Sequence, residues 1–348
     1  MAFLRNIWYV AAWSGEISRT LTPRTILGEP ILLYRKENED PVAIGNRCPH
    51  RFAPLHLGKL VGDIVECGYH GLQFDCSGAC VANPHGDHRI PPNARVVSYP
   101  LVERHGFAWI WMGQAELADP FDIPDYSHVV SPGLKTIGDT MLQKANYQLL
   151  VDNLMDLTHV NYLHAPYQKN DDFLAARHEV AQEGLTLDSM RSIPSTVAPP
   201  SFAPFLEDPS ALVDYWLDIR WHAPGACRLE VGVAPLGRPR SEGILRIGSH
   251  IVTPETETTT HYFYASSRNY RLDDPLADAE TANWQQVGFH EQDKPMLEAV
   301  QRMMGTTDLD SLAPVLLASD VAAIRVRRIM KELLRDELEE REISVLGK

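Results

Sequence analysis

Apolar residues in the first third of the chain come in short runs that polar and turn-forming residues interrupt, a pattern typical of β-strands. Residues 31–34, 41–44 and 107–111 are such runs, and Gly, Pro, Asn and Asp lie between them. They predict a small antiparallel barrel or sandwich within residues 1–115. Residues 116–132 hold three prolines and several acidic residues, and they predict a linker.

After this linker the pattern changes twice. Residues 146–163 have helical spacing, residues 180–270 are again rich in β-type runs, and the chain from about residue 278 has helical spacing to its end. An amphipathic helix is predicted over residues 324–343, with Arg325, Arg327 and Arg328 interpreted as part of a solvated face. This order of elements predicts an α+β protein with two domains, residues 1–125 and residues 126–348.

Composition narrows the class of protein. The chain has 348 residues, of which 44% are hydrophobic, so it can form a sizeable core, and its formal charge of −14 argues against nucleic-acid binding. The N-terminal residues lack the pattern of a signal peptide, and no run of eighteen apolar residues is present. We therefore expect a cytoplasmic protein that neither binds nucleic acid nor enters a membrane.

Two Cys–His pairs form the strongest chemical motif of the chain. Cys48-Pro-His50 is followed, after sixteen residues, by Cys67-Gly-Tyr-His70. In a Rieske [2Fe–2S] centre one iron takes both cysteines and the other takes both histidines, and two loops that each offer one thiolate and one imidazole meet this need. A zinc site is the alternative, although the short C-x-H spacing fits zinc poorly.

The other three cysteines are assigned no ligand role. The odd total of five cysteines is a poor basis for disulfides. Cys76 and Cys80 are interpreted as free thiols in a turn, and Cys227 as a core residue of a strand.

A second group of metal-binding residue types lies in the helical segment. Asp152, Asp156 and His159 are spaced i, i+4 and i+7 and would share one helix face, whereas His164 would point away from it. A helix that loosens near residue 160 could turn both imidazoles toward one ion, and Pro166 limits how far the helix continues. Two histidines and one carboxylate form the facial triad of non-haem Fe(II) oxygenases. A purely structural histidine pair is the alternative.

Spacing alone leaves the third iron ligand open. Glu291 and Asp293 are candidates in the C-terminal helical region, with His290 beside them. Pro295 is expected to disrupt the helix at this point, as functional sites sometimes require.

With both motifs in place, the chain resembles a known family, the Rieske non-haem iron aromatic oxygenases. Residues 43–74 resemble the Rieske domain, and D-x-x-H-x4-H at Asp156, His159 and His164 resembles the mononuclear iron motif. Residues 5–11, 150–156 and 253–257 resemble the branch that contains vanillate O-demethylase, dicamba monooxygenase and toluenesulfonate methyl-monooxygenase. This resemblance implies a Rieske domain followed by a helix-grip catalytic domain, a homotrimer with electron transfer between subunits, and a separate reductase or ferredoxin.

The resemblance also implies roles for individual residues. The implied [2Fe–2S] ligands are Cys48, His50, Cys67 and His70. The implied ligands of a mononuclear Fe(II) are His159, His164 and Asp293. Asp156 is implied as a carboxylate that bridges His159 to His70 of a neighbouring subunit, and Asn153 as a residue close to the iron. The implied substrate-pocket positions are His250, Trp284 and Leu229, with ordinary packing as the alternative for the first two.

Together these patterns predict the oxygenase component of a monooxygenase. It is expected to use O2 and electrons from its partner to O-demethylate or hydroxylate a small, anionic aromatic such as a methoxybenzoate. Neither a G-x-G-x-x-G nor a G-x4-G-K-[ST] motif occurs, so NADH is expected to bind the partner. Ring or methyl hydroxylation at the same site, and a Rieske electron carrier without oxygenase activity, are the alternatives.

Overall fold

The computed structural model describes the backbone of residues 3–346 and the side chains of residues 3–340. The chain is of the α+β class and divides into two compact units. The first unit comprises Phe3–Ile123 together with Thr253–Thr256, and the second comprises Pro124–Val252 together with the chain from Glu257. No helix within residues 3–346 has the length and apolar character needed to cross a membrane.

The first unit is built from eleven short strands in three antiparallel sheets. The strands are β1 (Trp8–Trp13), β2 (Thr22–Ile26), β3 (Glu29–Arg35), β4 (Pro41–Gly45), β5 (Lys59–Val61), β6 (Ile64–Glu66), β7 (Gln73–Phe74), β8 (Cys80–Ala82), β9 (Ser98–Tyr99), β10 (Leu101–Arg104) and β11 (Phe107–Trp111). The sheet orders are β1-β11-β10, β2-β3-β4-β9 and β5-β6-β7-β8. The strands that the sequence predicts at residues 31–34, 41–44 and 107–111 are confirmed as β3, β4 and β11.

One hydrophobic core in this unit encloses the two predicted cluster cysteines. Tyr34, Ile44 and Phe74 from three strands are completely buried, and they belong to the same core as Cys48 and Cys67. The loops that carry the Cys–His motifs are therefore fixed at their cysteine ends by packing against strands.

The second unit contains one seven-stranded antiparallel sheet. Its strands are β12 (Lys135–Gln143), β13 (Arg177–Glu183), β14 (Thr186–Val197), β15 (Leu212–His222), β16 (Ala226–Pro235), β17 (Ile244–Pro254) and β18 (Thr260–Arg268), in the order β12-β18-β17-β16-β15-β14-β13. Six of these strands lie within or beside the predicted β-rich stretch. Strand β12 has no counterpart among the predicted elements, and it pairs along its whole length with β18.

Within residues 124–346, five α-helices and one π-helix complete the second unit. They are α1 (Tyr147–Met155), α2 (Ala165–Gln168), α3 (Pro275–Gln285), the π-helix (Gln286–Asp293), α4 (Lys294–Met304) and α5 (Val321–Leu346). Asn146 and Asp274 cap the starts of α1 and α3, because each side chain accepts a hydrogen bond from a backbone N–H two residues later. The predicted helical C-terminal region is thus interrupted over residues 305–320.

Short 3-10 turns connect many of these elements. They are Ser14–Glu16, Leu55–Leu57, Ala115–Leu117, Pro120–Asp122, Ser127–Val130, Leu157–Asn161, Phe173–Ala175, Ala203–Phe205, Arg240–Glu242, Asp310–Leu312 and Ala318–Asp320. The predicted linker at residues 116–132 consists largely of such turns.

The interpretation of the α5 arginines as a solvated face is wrong for Arg327. Its Nε lies 2.9 and 3.0 Å from the two carboxylate oxygens of Asp152 on α1, and only 12% of the Arg327 side chain is exposed. Arg328, the next residue, is exposed. Periodicity identified the helix correctly, but it could not identify the ion pair that joins α5 to α1.

Candidate metal centres

The two Cys–His loops of the first unit share one backbone design. Phe52 N–H donates to the carbonyl of Cys48 at 2.9 Å, and Gly71 N–H donates to the carbonyl of Cys67 at 3.0 Å. Both turns close on a residue in the left-handed region, Phe52 at φ +60° and Gly71 at φ +71°. Each cysteine therefore begins a tight turn of five residues that also contains the histidine of its motif.

Glycine allows the two loops to touch. A Cβ at Gly68 would lie 2.7 Å from the carbonyl oxygen of Leu57, and a Cβ at Gly58 would lie 2.0 Å from that of Glu66. Both distances are shorter than real Cβ contacts permit, so no larger residue fits without a backbone shift. These glycines set the distance between the loops, and hence between their ligands.

The four predicted cluster ligands form two pairs of like residues. Cys48 and Cys67 are buried beside one another, and the rings of His50 and His70 lie 4.5 Å apart between centroids. Burial raises the pKa of Cys48 to about 11, and its hydrogen bond with Cys67 contributes in the same direction. Neutral thiols at such a site become thiolates when a metal binds them.

This pairing discriminates between a cluster and zinc. Within residues 3–340, the four side chains do not form a group in which three ligand atoms converge on one ion. A tetrahedral zinc requires such convergence of all four donors, whereas a [2Fe–2S] cluster uses one pair for each iron. The donor arrangement therefore fits the cluster.

Cys76 and Cys227 lie where the sequence indicated, in a turn and in a strand, whereas Cys80 begins strand β8 and does not lie in a turn. All five cysteines are free, with Cys76 exposed and Cys80 buried. Cys227 is buried in β16.

In the second unit, the helix face predicted for Asp152, Asp156 and His159 does not exist. Helix α1 ends at Met155, and Asp156 has an extended backbone. The Asp156 carboxylate instead caps the next 3-10 turn by accepting from Thr158 N–H at 3.0 Å. The predicted loosening is real but begins four residues early, and Asp152 is bound to Arg327 rather than directed to the histidines.

The structure nevertheless brings His159, His164 and Asp293 together. Their ligand atoms all lie within 4.8 Å of one another, and no other such group occurs in residues 3–340. Asp293 Oδ1 lies 3.3 Å from His164 Nε2 and 3.9 Å from His159 Nε2. Of the two carboxylates that spacing left open, Glu291 is exposed and Asp293 is buried.

Hydrogen bonds on the far side of each imidazole orient its metal-binding nitrogen. His159 Nδ1 donates to the backbone carbonyl of Asp156 at 2.8 Å, and His164 Nδ1 donates to Gln292 Oε1 at 2.7 Å. With the proton held on Nδ1, both rings present the Nε2 lone pair toward Asp293. Burial lowers the pKa of His159, which favours the neutral, metal-binding form. Burial acts on the pKa of His164 in the same direction, but the hydrogen bond and charge of Asp293 outweigh it and raise that pKa, so a cation bound at Asp293 would compete with the proton of His164.

The buried carboxylate of Asp293 indicates that a cation binds between it and the two histidines. Its Oδ1 is buried and has no hydrogen-bond donor within residues 3–340. A buried carboxylate oxygen that faces two imidazole lone pairs is unfavourable unless a positive charge lies between them. These residues therefore fit a divalent metal ion with three protein ligands.

The π-helix explains how Asp293 is directed inward. Residues 286–293 are wound more widely than in an α-helix, and such segments occur often at functional sites. His290 in this segment bonds the hydroxyl of Tyr264 at 2.7 Å. The departure from α-helical geometry expected near Pro295 is this π-helix, which ends at Asp293. Pro295 itself lies in the first turn of α4, where proline is tolerated.

The predicted pocket residues lie close to this centre. The Trp284 ring lies edge-on to the His164 ring, with 5.2 Å between the ring centroids. The Phe289 ring lies 6.0 Å from the Trp284 ring and 5.6 Å from the His250 ring, again between centroids. Leu229 pairs with Gly248 in the sheet. A Cβ added at Gly248 would lie only 2.5 Å from His250 Nε2, so Leu229 is a neighbour of the residue beside His250. Asn153 is partly buried on α1.

Sequence reasoning missed several side chains at this site. Gln292 orients His164, and Tyr262 bonds His250 Nδ1 at 2.6 Å. Arg191 Nη2 lies 3.8 Å from Asp156 Oδ1 with 7% of the Arg191 side chain exposed. Gln292 adjoins Asp293 in the sequence, which is a weak signal. Tyr262 and Arg191 are distant in sequence, and only the folded sheet shows them.

Comparison with known proteins agrees with both centres. Residues 7–100 match the Rieske [2Fe–2S] domain, and residues 143–336 match the vanillate O-demethylase oxygenase C-terminal domain. The chain is 42% identical to the oxygenase component of dicamba O-demethylase from Stenotrophomonas maltophilia, over 96% of this chain and 98% of that protein.

Two further relatives extend this result. The chain is 37% identical to the iron-sulfur subunit TsaM1 of the toluene-4-sulfonate monooxygenase system from Comamonas testosteroni, over 96% of this chain and 98% of that protein. A crystal structure of dicamba monooxygenase bound to 3,6-dichlorosalicylic acid superposes with a TM-score of 0.93 at 41% identity, covering 97% of this chain and 99% of that one. This chain therefore belongs to the Rieske oxygenase components that carry the vanillate O-demethylase type of C-terminal domain.

Proposed function

We propose that this protein is a terminal oxygenase component that uses O2 and electrons from a separate reductase to O-demethylate or hydroxylate a small aromatic substrate. The convergence of His159, His164 and Asp293 in one buried group supports the proposal most directly. A pure electron carrier would need the Cys–His loops but would have no use for this second group.

Each centre is assigned its own residues and domain. We assign the cluster ligands as Cys48, His50, Cys67 and His70, within residues 1–125. We assign the ligands of a single ferrous ion as His159, His164 and Asp293, within residues 126–348. When bound, the cluster supplies stored electrons, and the ferrous ion supplies a centre for O2 activation.

The chain's own residues would position the substrate beside the ion. Trp284 and Phe289 offer aromatic surfaces next to His164 and His250, and such surfaces suit a flat ring. Tyr262 holds the His250 ring by its Nδ1, so that Nε2 is free to meet a polar group of the substrate. Which carbon of the ring or of its methoxy group lies nearest the ion decides between demethylation and hydroxylation.

His250 can recognise a polar group but cannot neutralise a charge. Burial lowers the pKa of His250 to about 4, so its ring is uncharged at neutral pH. Leu229 provides no polar atom. An anionic substrate would therefore need its counter-charge from elsewhere in the protein.

Two further assignments concern partners. The relatives are named as oxygenase components or as a subunit of a monooxygenase system, which supports a separate reductase for this chain as well. We also propose a homotrimer in which Asp156 lies near His70 of a neighbouring subunit. The carbonyl of Asp156 already holds His159, which would place the two centres in one hydrogen-bonded path. A cytoplasmic location and the role of Asn153 remain predictions.

Product analysis tests the proposal. The purified oxygenase and a reductase are incubated with methoxylated benzoates, and formaldehyde and hydroxylated products are measured. The His159→Ala variant should lose both products while it keeps the visible spectrum of the cluster. Full product formation by His159→Ala would contradict the assignment of the iron site.

A further inference from the structure

A cavity adjoins Trp284, whose ring also contacts the ring of His164. It has a volume of about 180 Å³, and we call it the arginine cleft; the residues that define it are Tyr167, Phe205, Arg246, Arg268, Tyr270 and Trp284. The cleft reaches solvent at the exposed residues Glu280 and Asn283. Pro200 and Pro204 in its lining are exposed as well, so the cleft is open to solvent, and it shares Trp284 with the surroundings of His164.

Strand geometry gives the position of the two arginines. Arg246, Gly248 and His250 alternate along β17, so their side chains lie on one face of the sheet, and Tyr262 and Arg268 share one face of β18. The hydrogen bond between His250 and Tyr262 indicates that the two sets face the same side. Arg246 is four residues from His250, about 13 Å along the strand at ~3.3 Å per residue. One benzoate molecule is too short to contact both Arg246 and His250.

Arg246 carries a positive charge that no carboxylate compensates. Its Nε donates to the Tyr270 hydroxyl at 2.6 Å, and its Nη2 donates to the carbonyl of Ser201. The guanidinium lies over the ring of Phe202 at 4.6 Å. Within residues 3–340, no acidic side chain forms an ion pair with it. Described partners engage two of its five N–H donors, so the others can bind a ligand.

Arg268 is a buried cation whose hydrogen bonds are incomplete. Only 1% of its side chain is exposed, and its Nη2 bonds Asp278, which also pairs with Lys135 at 3.2 Å. Its Nε and Nη1 have no acceptor within residues 3–340. Leaving buried charged donors unsatisfied is unfavourable, so an acceptor from outside the chain would stabilise this arrangement.

The other walls of the cleft determine which anion fits. Trp284, Phe205 and Tyr270 present aromatic surface. Among the lining residues within residues 3–340, the only acidic one is Glu280, which is exposed. The chain as a whole carries a formal charge of −14, which repels anions at long range. A local pair of arginines in an aromatic cleft is the complement of a flat organic anion.

We propose that the arginine cleft is a binding site for an aromatic carboxylate, which Arg246 and Arg268 hold through its carboxylate outside the metal site, with Trp284 between the two sites. The choice of ligand rests on the proposed function, but the site itself rests on the two arginines. The cleft would collect the anionic substrate at the surface before the ring passes Trp284 to reach the iron.

Equilibrium binding of benzoate tests the proposal without turnover. Isothermal titration of the anaerobic holoenzyme, without reductant, gives the Kd of benzoate and of the neutral benzamide. Arg246→Gln should weaken benzoate binding on the order of 10–100-fold, as expected for loss of charged hydrogen bonds, and should leave benzamide nearly unchanged. Arg246→Lys should recover part of this loss, because it restores the charge but not the planar fork.

Arg240→Gln is the matched control. Arg240 lies in the turn before β17, is 47% exposed and pairs with Asp218, so its removal changes the net charge equally but outside the cleft. It should leave the benzoate Kd unchanged. Equal benzoate affinity in Arg246→Gln and Arg240→Gln would overturn the proposal.

Two measurements on the unmodified protein keep the test decisive if Arg246→Gln does not fold. The benzoate Kd should rise with salt concentration while the benzamide Kd does not. In crystals with 4-bromobenzoate, an anomalous bromine peak should lie in the arginine cleft, and peaks found only elsewhere would refute the site. His159→Ala should retain benzoate binding at the cleft, so failure of the iron assignment and failure of the cleft are separable.

Discussion

Replacement of Arg327 by Gln is expected to destabilise the second unit without affecting the metal site. Arg327 on α5 binds both carboxylate oxygens of Asp152 on α1, and the two side chains retain only 12% and 22% exposure. Burial raises the pKa of Asp152, and the hydrogen bond and charge of Arg327 oppose that rise. Without Arg327, the carboxylate remains in a poorly hydrated place with no counter-charge.

The size of the effect follows from this burial. Removing one partner of a buried ion pair costs about 3–5 kcal/mol, and the remaining exposure of Asp152 places this case near the lower end, at about 3 kcal/mol. For a unit of this size, 1 kcal/mol changes Tm by roughly 2–4 °C, so Tm should fall by about 6–12 °C. The deficit should shrink as the pH is lowered, because protonation of Asp152 removes the unpaired charge.

Thermal unfolding, followed by circular dichroism at pH 7, measures this effect. Asp152→Asn combined with Arg327→Gln should recover most of the lost stability, because no charge is left unpaired. The exposed neighbour Arg328 supplies the control, since Arg328→Gln should change stability by about 0.5 kcal/mol or less. A Tm of Arg327→Gln within about 2 °C of that of the unmodified protein would refute the reasoning, because roughly this difference is the error of such a melt. Loss of iron in Asp152→Asn alone would show that Asp152 acts at the metal site after all.

Three further outcomes are expected. Gly68→Ala should lose the visible spectrum of the cluster, because the new Cβ would lie 2.7 Å from the Leu57 carbonyl oxygen and push the two ligand loops apart. Gly15→Ala is the control and should keep the spectrum, because a Cβ at Gly15 would have no atom within 4 Å. Lowering the pH from 7 to 5 should destabilise the unmodified protein by about 2 kcal/mol more than it destabilises the His250→Gln variant. The reason is that His250 has a pKa of about 4 in the folded protein, so the unfolded chain takes up the proton first. Equal pH profiles of the two proteins in urea unfolding would contradict this. Tyr262→Phe should lower kcat/KM up to roughly tenfold with the iron content unchanged, because His250 loses its orienting hydrogen bond; unchanged kinetics would exclude that role.

The Cys–His motifs could be predicted from the sequence because their chemistry is local. Each tight turn contains one thiol and one imidazole, and the pairing of Cys48 with Cys67 and of His50 with His70 follows from bringing two such turns together. Strands β3, β4 and β11 were predictable for a similar reason, since short apolar runs between turn-forming residues contain their own boundaries.

The second centre was only partly predictable because it depends on departures from regular geometry. Helical spacing placed Asp152 with His159, but the Asp156 carboxylate binds a backbone N–H and ends α1 before that face can form. The choice between Glu291 and Asp293 depends on π-helical winding, which no residue spacing reveals. Strand β12 and the Arg327–Asp152 pair likewise depend on partners more than a hundred residues away.

Iron analysis of anaerobic, iron-replete protein decides whether the chain holds a mononuclear iron in addition to the cluster. We expect one iron beyond the two of the cluster in the unmodified chain, and only the two cluster irons in His159→Ala, whose visible spectrum should be unchanged. An unmodified chain that holds no iron beyond the cluster, or a His159→Ala variant that keeps the additional iron, would contradict it.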